Sequence, residues 1–264
     1  YGLLLDTPFR TDWELDTADL HLLTGSTGNG FYFESEMKLE VRARVFVGET
    51  PLQVLQDFTA YTGRSLVPPL FQFGPWNQYG NEIPDMGKLD AMTWFATHDV
   101  PSTVHLDSMH FFPAGAQVGK ESNILDTVTK AKSLGIKSMA YFNSMVDTTY
   151  DPVYDTCLQN DYFLNTTDGE TYVFVYKGAG PDPFTCSLLD FTNPEAKEWY
   201  KDQMQGALDM GYSGWMYDYG EYVDFHTKSR SGLIGGEHHN QYPLLYQQTA
   251  FEFFQSLDED PTDK

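Results

Sequence analysis

The spacing of apolar positions changes character once along the chain, at Thr50-Pro51. Before that point the runs "YGLLLDTPF", "ADLHLLTG", "GFYFES" and "KLEVRARVFVG" are short, apolar or alternating, and separated by Gly, Thr, Asp and Asn. This pattern predicts strands, with no helical period, and reads as the end of a β-sandwich domain over residues 1–50. "TPLQVLQDFTAYTG" then offers Thr50 as N-cap, Pro51 at the first helical position and Gly63 as a stop. These signals predict a helix within a linking segment, 51–67.

From Pro68 onward strand and helix take turns. "PPLFQFGPW" reads as a buried strand, "PDMGKLDAMTWFATHDV" as a helix, "STVHLDSM" as a strand and "SNILDTVTKAKSLG" as a helix. The strand "IKSMAYFN" follows, then a long loop region. "TNPEAKEWYKDQMQGALDMG" is a well-marked helix, capped by Thr192 or Asn193, with Pro194 in its first turn and Gly211 as its stop. The strand "SGWMYD" and the helix "YPLLYQQTAFEFFQSL" complete the pattern.

Such alternation is the signature of a parallel sheet with crossover helices, either doubly wound or a (β/α)8 barrel. No strand is followed by a Gly-rich phosphate loop, which weakens nucleotide-binding readings. About four βα units can be counted, where a barrel needs eight over roughly 250 residues. Half a barrel leaves sheet edges open. Either the sheet is open, or residues 68–264 are the first, incomplete part of a barrel, and the polar terminus "DEDPTDK" suits a loop or domain boundary.

Composition narrows the partners. Of 264 residues 41% are hydrophobic and 16% aromatic, enough for a large core and for a cleft that stacks on sugar rings. The formal charge is −22, from 38 acidic and 16 basic residues. A surface this acidic repels phosphate backbones and anionic lipids, so nucleic acid and membrane surfaces are poor partners, while a neutral substrate is unaffected. No apolar run approaches the roughly 18 residues of a membrane span. The sequence opens directly on a strand pattern, so any targeting segment is either removed or not included. Cys157 and Cys186 fit a pair of free thiols as well as a loop-closing disulfide. With the sequon "NTT" at Asn165 between them, they tilt the expectation toward a secreted or lumenal glycoprotein.

In parallel α/β folds the side chains at strand C-termini converge on the ligand cleft. The strand ends expected here are Gly74-Pro75-Trp76-Asn77-Gln78, Asp107, Asn143 and Asp218. A tryptophan, amides and two carboxylates suit a carbohydrate pocket, the ring covering a sugar face and the polar groups meeting hydroxyls. Plainer readings stand beside these. Asp107 could be a helix cap or buried acceptor, Asp218 a turn opener before Tyr219-Gly220, and Glu221 a solvated loop charge. His105 lies within a strand and reads as a core residue. His238-His239 lack a third ligand at suitable spacing, so neither a metal site nor another cofactor is expected. No cysteine stands beside a histidine and "GYSGW" is not a G-x-S-x-G elbow, which disfavours serine or cysteine hydrolysis.

Assembled, these segments resemble glycoside hydrolase family 31, the retaining α-glucosidase and α-xylosidase family. "GWMYDYGEY" resembles the nucleophile strand, W-x-D-M-N-E in many members and G-W-M-x-D-x-G-E-Y in the sulfoquinovosidase-like branch. "VHLDSMHF" resembles the strand whose first Asp holds sugar hydroxyls, and "LLDFTNPEAKEWY" the D-x-T-N-P-E-A segment before the nucleophile. "HHNQYPLLYQQTAFEFF" is similar to the H-N-x-Y-P stretch after it, and "YGLLLDTPFR" to the end of the N-terminal β-sandwich. The resemblance implies Asp218 as nucleophile, Glu221 as a carboxylate supporting its loop and Asp107 as a hydroxyl ligand of the sugar next to the cleaved bond. Trp215, within the nucleophile motif, and Trp76, by looser correspondence, are implied to line the pocket.

A retaining glycosidase needs one carboxylate to attack the anomeric carbon and a second carboxyl about 5–5.5 Å away to protonate the leaving oxygen. The nucleophile must stay ionised and the acid protonated, so their environments differ. Asp218 suits the first task and Glu221 is a poor candidate for the second. The resemblance places the acid, with an Arg and a His, on later strands that this sequence lacks. The chain is therefore expected to be a fragment whose partner is the remainder of its own polypeptide, with a homo-oligomer left open. The sulfoquinovosidase branch reads its sulfonate with an R-x-x-W pair, whereas "FFPAGAQVGKESN" has neither residue, which favours a neutral α-glucoside. The function so implied is an exo-acting α-glycoside hydrolase, α-glucosidase-like, working on an oligosaccharide or α-glycoside through a covalent glycosyl-aspartate. A same-family α-xylosidase, transglycosidase or glucan lyase stays open, as does a non-catalytic carbohydrate-binding or structural protein on a degenerate hydrolase fold.

Overall fold

The computed structural model describes residues 2–6, 11–15, 31–35, 42–80, 85–178 and 183–257, and it divides into two units. The first takes the chain to Val67, together with residues 236–241. Its strands are β1 (Gly2–Asp6), β2 (Thr11–Leu15), β3 (Phe31–Ser35) and β4 (Arg42–Phe46). β1 pairs antiparallel with β4, Leu4 opposite Arg44, and β2 with β3, Trp13 opposite Phe33. Among the described residues these form two separate antiparallel ladders. The strand expected in "ADLHLLTG" lies outside the described residues.

Helix α1 (Pro51–Thr62) begins and ends where its caps require. Thr50 Oγ1 accepts from the Gln53 N–H at 3.2 Å, and Gln53 Oε1 accepts from the Glu49 N–H at 3.0 Å. One donor left over by the first turn, the Gln53 N–H, is thereby satisfied, and the Glu49 N–H before the cap is tied to the Gln53 side chain. Gly63, at φ 100°, stops the helix in a conformation only glycine adopts freely. The helix rests on the β1/β4 ladder, with Phe58 edge-on to Phe46 at 5.6 Å between ring centres.

The second unit, residues 68–235 and 242–264, carries the alternating pattern. In chain order it holds β5 (Trp76–Asn77), α2 (Lys88–Thr97), β6 (Val104–Leu106), α3 (Glu121–Ser133) and β7 (Lys137–Phe142). Next come β8 (Met145–Asp147), α4 (Val153–Gln159), β9 (Asn165–Thr166), β10 (Val173–Tyr176) and β11 (Phe184–Leu188). After these follow α5 (Pro194–Asp209), β12 (Trp215–Tyr217), β13 (Thr227–Lys228) and α7 (Tyr242–Ser256). One short turn, α6 (Gly235–His238), stands just before α7.

β5, β6, β7 and β12 form one parallel four-stranded sheet in that order, half the strands of a closed barrel. The expected first strand is the exception. "PPLFQFGPW" makes a single 3₁₀ turn over Leu70–Phe73 before the two-residue β5, and Leu70 and Phe73 are 87% and 70% exposed. Pro68, Pro69 and Pro75 have no N–H to give a ladder, so the apolar run cannot pair along its length. The loop region after β7 also holds structure that periodicity did not show. It folds into an antiparallel sheet of order β10-β11-β8, beside which β9 pairs with β13.

The two faces of the parallel sheet pack differently. Val104, Leu106 and Met139 cluster with Phe71, Trp76 and Tyr141 on the barrel-interior side. The other face lies under α5 and α7 in the largest core, where aromatic rings dominate. Tyr217 stacks on Tyr246 at 3.8 Å, and Phe191 stands between Tyr200 and Tyr242 at 5.2 and 5.5 Å. The phenols are satisfied inside: Tyr200 donates to Asn143 O (2.5 Å), Tyr242 to Leu189 O (2.8 Å) and Tyr217 to Tyr246 O (3.0 Å). Cys157 and Cys186 are buried in this core as free thiols, so the disulfide reading is corrected. Burial pushes both thiols up to about 12.

Candidate active site

The residue after β12 is Asp218, whose N–H donates to Phe142 O at 3.0 Å and so continues the ladder to the strand tip. The chain then turns sharply, with Tyr219 at φ 66° and Gly220 at φ 125°. A left-handed non-glycine residue costs about 1–3 kcal/mol, a strain that surrounding structure must hold in place. Gly220 is required twice over, by its φ and because a Cβ there would stand 3.3 Å from Pro243 Cα. This turn leaves the Asp218 carboxylate exposed yet oriented. Oδ1 accepts from the Tyr219 N–H at 2.9 Å, and Oδ2 accepts from the Tyr141 hydroxyl. Burial, then the Asp218 hydrogen bond and charge, push the Tyr141 phenol well above the usual tyrosine range. Tyr141 therefore stays protonated and remains a donor.

A cleft of about 440 Å3 opens at the C-terminal end of the sheet, beside Tyr141 and Tyr219. Gln78 enters from the end of β5, Ser108 and Met109 from the end of β6, and Phe112 and Pro113 from the loop beyond. Tyr150 and Phe184 close it from the side of the small antiparallel sheet. The rings share one layer: Phe112 stacks on Tyr219 at 5.7 Å and meets Tyr141 edge-on at 4.8 Å. Among the described residues the lining holds amide, hydroxyl and aromatic groups, with no charged side chain. Such walls suit a neutral ligand with flat apolar faces and several hydroxyls.

The other residues singled out in the sequence distribute unevenly around this cleft. Glu221 is exposed and makes no hydrogen bond among the described residues, so the contacts orienting Asp218 come from Tyr141 and Tyr219. Asp107 ends β6, its N–H on Met139 O at 2.8 Å, but its carboxylate is enclosed at 1% exposure. His110 Nδ1 (2.6 Å) and the Tyr212 hydroxyl (2.8 Å) occupy Oδ2, while the Met109 N–H (3.2 Å) occupies Oδ1 and Lys88 Nζ lies 4.0 Å away. Burial alone would raise this carboxyl, but the His110 hydrogen bond and the Lys88 charge outweigh it and hold the group well below the usual range. Asp107 thus braces the strand end, and its neighbours Ser108 and Met109 are what reach the cleft.

Both tryptophans are corrected. Strand side chains alternate faces, so Trp215 and Tyr217 point one way and Met216 and Asp218 the other. Trp215 stacks on Phe254 of α7 at 4.9 Å and leans on Phe142 at 5.1 Å, under the helix layer. Trp76 packs with Val104, Leu106 and Met139 and donates Nε1–H to Gln72 O at 3.1 Å, below the cleft. Asn143 is fully buried, its Oδ1 accepting from the Met145 N–H at 2.8 Å. His105 is buried and stacked on Tyr79 at 5.9 Å. Asn165 is half-buried in β9. Among the described residues no group of three His, Cys, Asp or Glu side chains gathers to hold a metal ion.

Sequence reasoning named Tyr219 behind Asp218 but missed Tyr141 and Phe112. The period-two signal was available for Met216, which shares parity with Asp218, and it would have demoted Trp215. Tyr141 sits 77 residues from Asp218, and only the β7–β12 register, Tyr141 opposite Met216, brings them together.

The family model described as "Glycosyl hydrolases family 31 TIM-barrel domain" matches residues 65–262. The chain is 26% identical over 269 residues to the alpha-xylosidase XylQ of Lactiplantibacillus pentosus, covering 97% of this chain and 33% of the xylosidase. It is 32% identical over 116 residues to a sulfoquinovosidase of Agrobacterium fabrum, covering 43% of this chain and 17% of that one. Among solved structures, the family 31 sulfoquinovosidase from E. rectale with an aza-sugar inhibitor superposes with a TM-score of 0.71 at 22% identity, over 96% of this chain and 37% of that chain. The chain thus spans a third or less of the length of these curated relatives.

Proposed function

We propose, since the chain belongs to glycosyl hydrolase family 31, that it carries the nucleophile half of a retaining, exo-acting α-glycosidase for neutral α-glucosides. The observation that carries this reading is the exposed Asp218 carboxylate, fixed at the tip of β12 by Tyr141 and Tyr219 beside an uncharged aromatic cleft. In the reaction a carboxylate oxygen of Asp218 bonds to the anomeric carbon as the bond to the leaving oxygen breaks. Water then cleaves the glycosyl-aspartate ester, restoring the carboxylate and the original anomeric configuration. Tyr141, held neutral, can donate to the Asp218 carboxylate and stabilise the negative charge that returns to it as the ester is broken. Among the described residues the cleft lining contains no carboxyl group, and we assign the general acid to the rest of the polypeptide. The amide, hydroxyl and aromatic groups of the described lining support a neutral sugar over a sulfonated one. With both cysteines free, Asn165 alone supports a secreted or lumenal glycoprotein, and mass loss on N-glycanase treatment tests it.

The test uses the whole polypeptide and a ring-fluorinated glycosyl fluoride, which forms the covalent intermediate quickly and releases it slowly. Peptide mapping is expected to place the adduct on Asp218. Asp218→Ala should lower kcat/KM on the order of 10⁴-fold or more, as loss of a nucleophile does. Azide should restore turnover of an activated α-glucoside and give the β-glycosyl azide, because it enters where the carboxylate stood. An adduct on another residue, or an active Asp218→Ala variant, sinks the assignment.

A further inference from the structure

Away from the cleft, a second groove of about 400 Å3 lies along the first half of α5. Its floor is a pair of half-buried aromatic rings, Tyr162 and Trp199, 6.1 Å apart and tilted by 39°. Pro194 closes one end, and Glu195, Glu198 and Asp202 rise along one helix face. The spacing of 195, 198/199 and 202 puts these side chains together. Tyr162 is pinned through its backbone, donating N–H to Cys157 O at 2.9 Å and accepting from Asp190 N–H at 2.8 Å. Its hydroxyl has no hydrogen-bond partner among the described residues.

The chemistry of the wall selects the occupant. A purely acidic aromatic groove would favour a cation. Here cations already flank two of the three carboxylates: Lys201 lies 2.8 Å from Glu198, and Arg230 lies 4.0 Å from Glu195. What remains is a ring platform, an unpartnered phenol and carboxylate acceptors, two of them flanked by cations. That combination matches a pyranose, whose C–H face stacks on indole and whose hydroxyls donate to carboxylates. Helix N-termini and strand C-termini share one end of a parallel α/β unit, so the groove stands at the cleft's end of the sheet, on the helix side.

We propose that this groove is a second carbohydrate-binding subsite, holding a glucosyl unit of an α-linked oligosaccharide chain outside the cleft. It rests on the carbohydrate reading above but not on Asp218 being the nucleophile. The subsite tethers long substrates and adds nothing to the turnover of small ones.

The test is retention of the whole polypeptide in native gels cast with soluble α-glucan, in the Asp218→Ala background so that the polymer survives. Turnover of a small aryl α-glucoside is measured in parallel with the intact nucleophile. Trp199→Ala should weaken retention by about tenfold or more, as loss of a buried tryptophan anchor does. Its kcat/KM on the small glucoside should be unchanged. Tyr162→Phe with Asp202→Asn leaves both rings in place and should weaken retention severalfold, which covers the case that Trp199→Ala misfolds. Parental retention in both variants overturns the proposal. So does retention that oligolysine abolishes and maltose does not, which would assign the groove to a basic peptide. An inactive polypeptide still retained through Trp199 keeps the groove and removes the hydrolase reading, and an active one retained without Trp199 does the reverse.

Discussion

Replacing Asp107 with asparagine separates bracing from sugar binding at the end of β6. The carboxylate is 1% exposed and meets His110, Tyr212 and the Met109 N–H, with Lys88 4.0 Å away. Breaking one side of a buried ionic network costs about 3–5 kcal/mol, and asparagine keeps one acceptor, so about 3 kcal/mol is expected. For a cooperative block of about 200 residues that is a drop in Tm of about 6–12 °C. The pH dependence has a definite sign. The folded-state pKa of Asp107 is depressed, so its contribution is complete above the unfolded value of about 3.9 and is lost as pH falls toward the folded one. Thermal melts of both proteins should differ constantly from about pH 7 to about pH 5, and the gap should shrink by about 1.4 kcal/mol per unit below about pH 4. An unchanged Tm with a raised KM would refute the bracing role and return Asp107 to the sugar. So would a gap that holds constant to about pH 3.

Three further substitutions and one chemical treatment test other parts of the geometry. Trp215→Ala should cost about 3 kcal/mol in a denaturant melt with KM unchanged, because it empties a place among Phe142, Phe253 and Phe254. Met216→Ala, 38% exposed on the Asp218 side, should do the opposite, raising KM severalfold with less than about 1 kcal/mol of lost stability. Gly220→Ala forces a Cβ into φ 125° against Pro243, and it should lower kcat about tenfold in steady-state assays by displacing Asp218. Native protein should resist thiol alkylation at Cys157 and Cys186 until denaturant is added, and reductant should leave its Tm unchanged, since burial pushes both thiols up to about 12.

Local signals in the sequence were read well wherever the physics is local. Thr50, Pro51 and Gly63 bound α1, and Asn193, whose Oδ1 accepts from Glu195 N–H at 3.0 Å, starts α5. The strand tips at Asp107, Asn143 and Asp218 follow from alternation alone, since each residue directly follows its strand. What stayed hidden depends on contacts between distant residues. The apolar stretch Leu70–Phe73 failed as a strand because prolines deny it a ladder, a rule that was legible but outweighed by hydrophobicity. The sheet of β8, β10 and β11 needs pairing across nearly forty residues, such as Cys186 opposite Asp147, and no periodicity encodes a partner. Enclosure of Asp107 depends on Tyr212, 105 residues away.

The tyrosine stack beneath the sheet has a consequence for solution behaviour. Tyr200, Tyr242 and Tyr246 are fully buried, and desolvation raises their phenols, with Tyr217, well above the ordinary value. Phenols with raised folded-state values stabilise the fold below about pH 10, where the unfolded chain ionises, and oppose it above. These hydroxyls cannot lose their protons in place, so they ionise only when the core opens. Above about pH 10 these four phenols therefore weigh against the fold, and their own share of the phenolate absorbance should appear only together with unfolding.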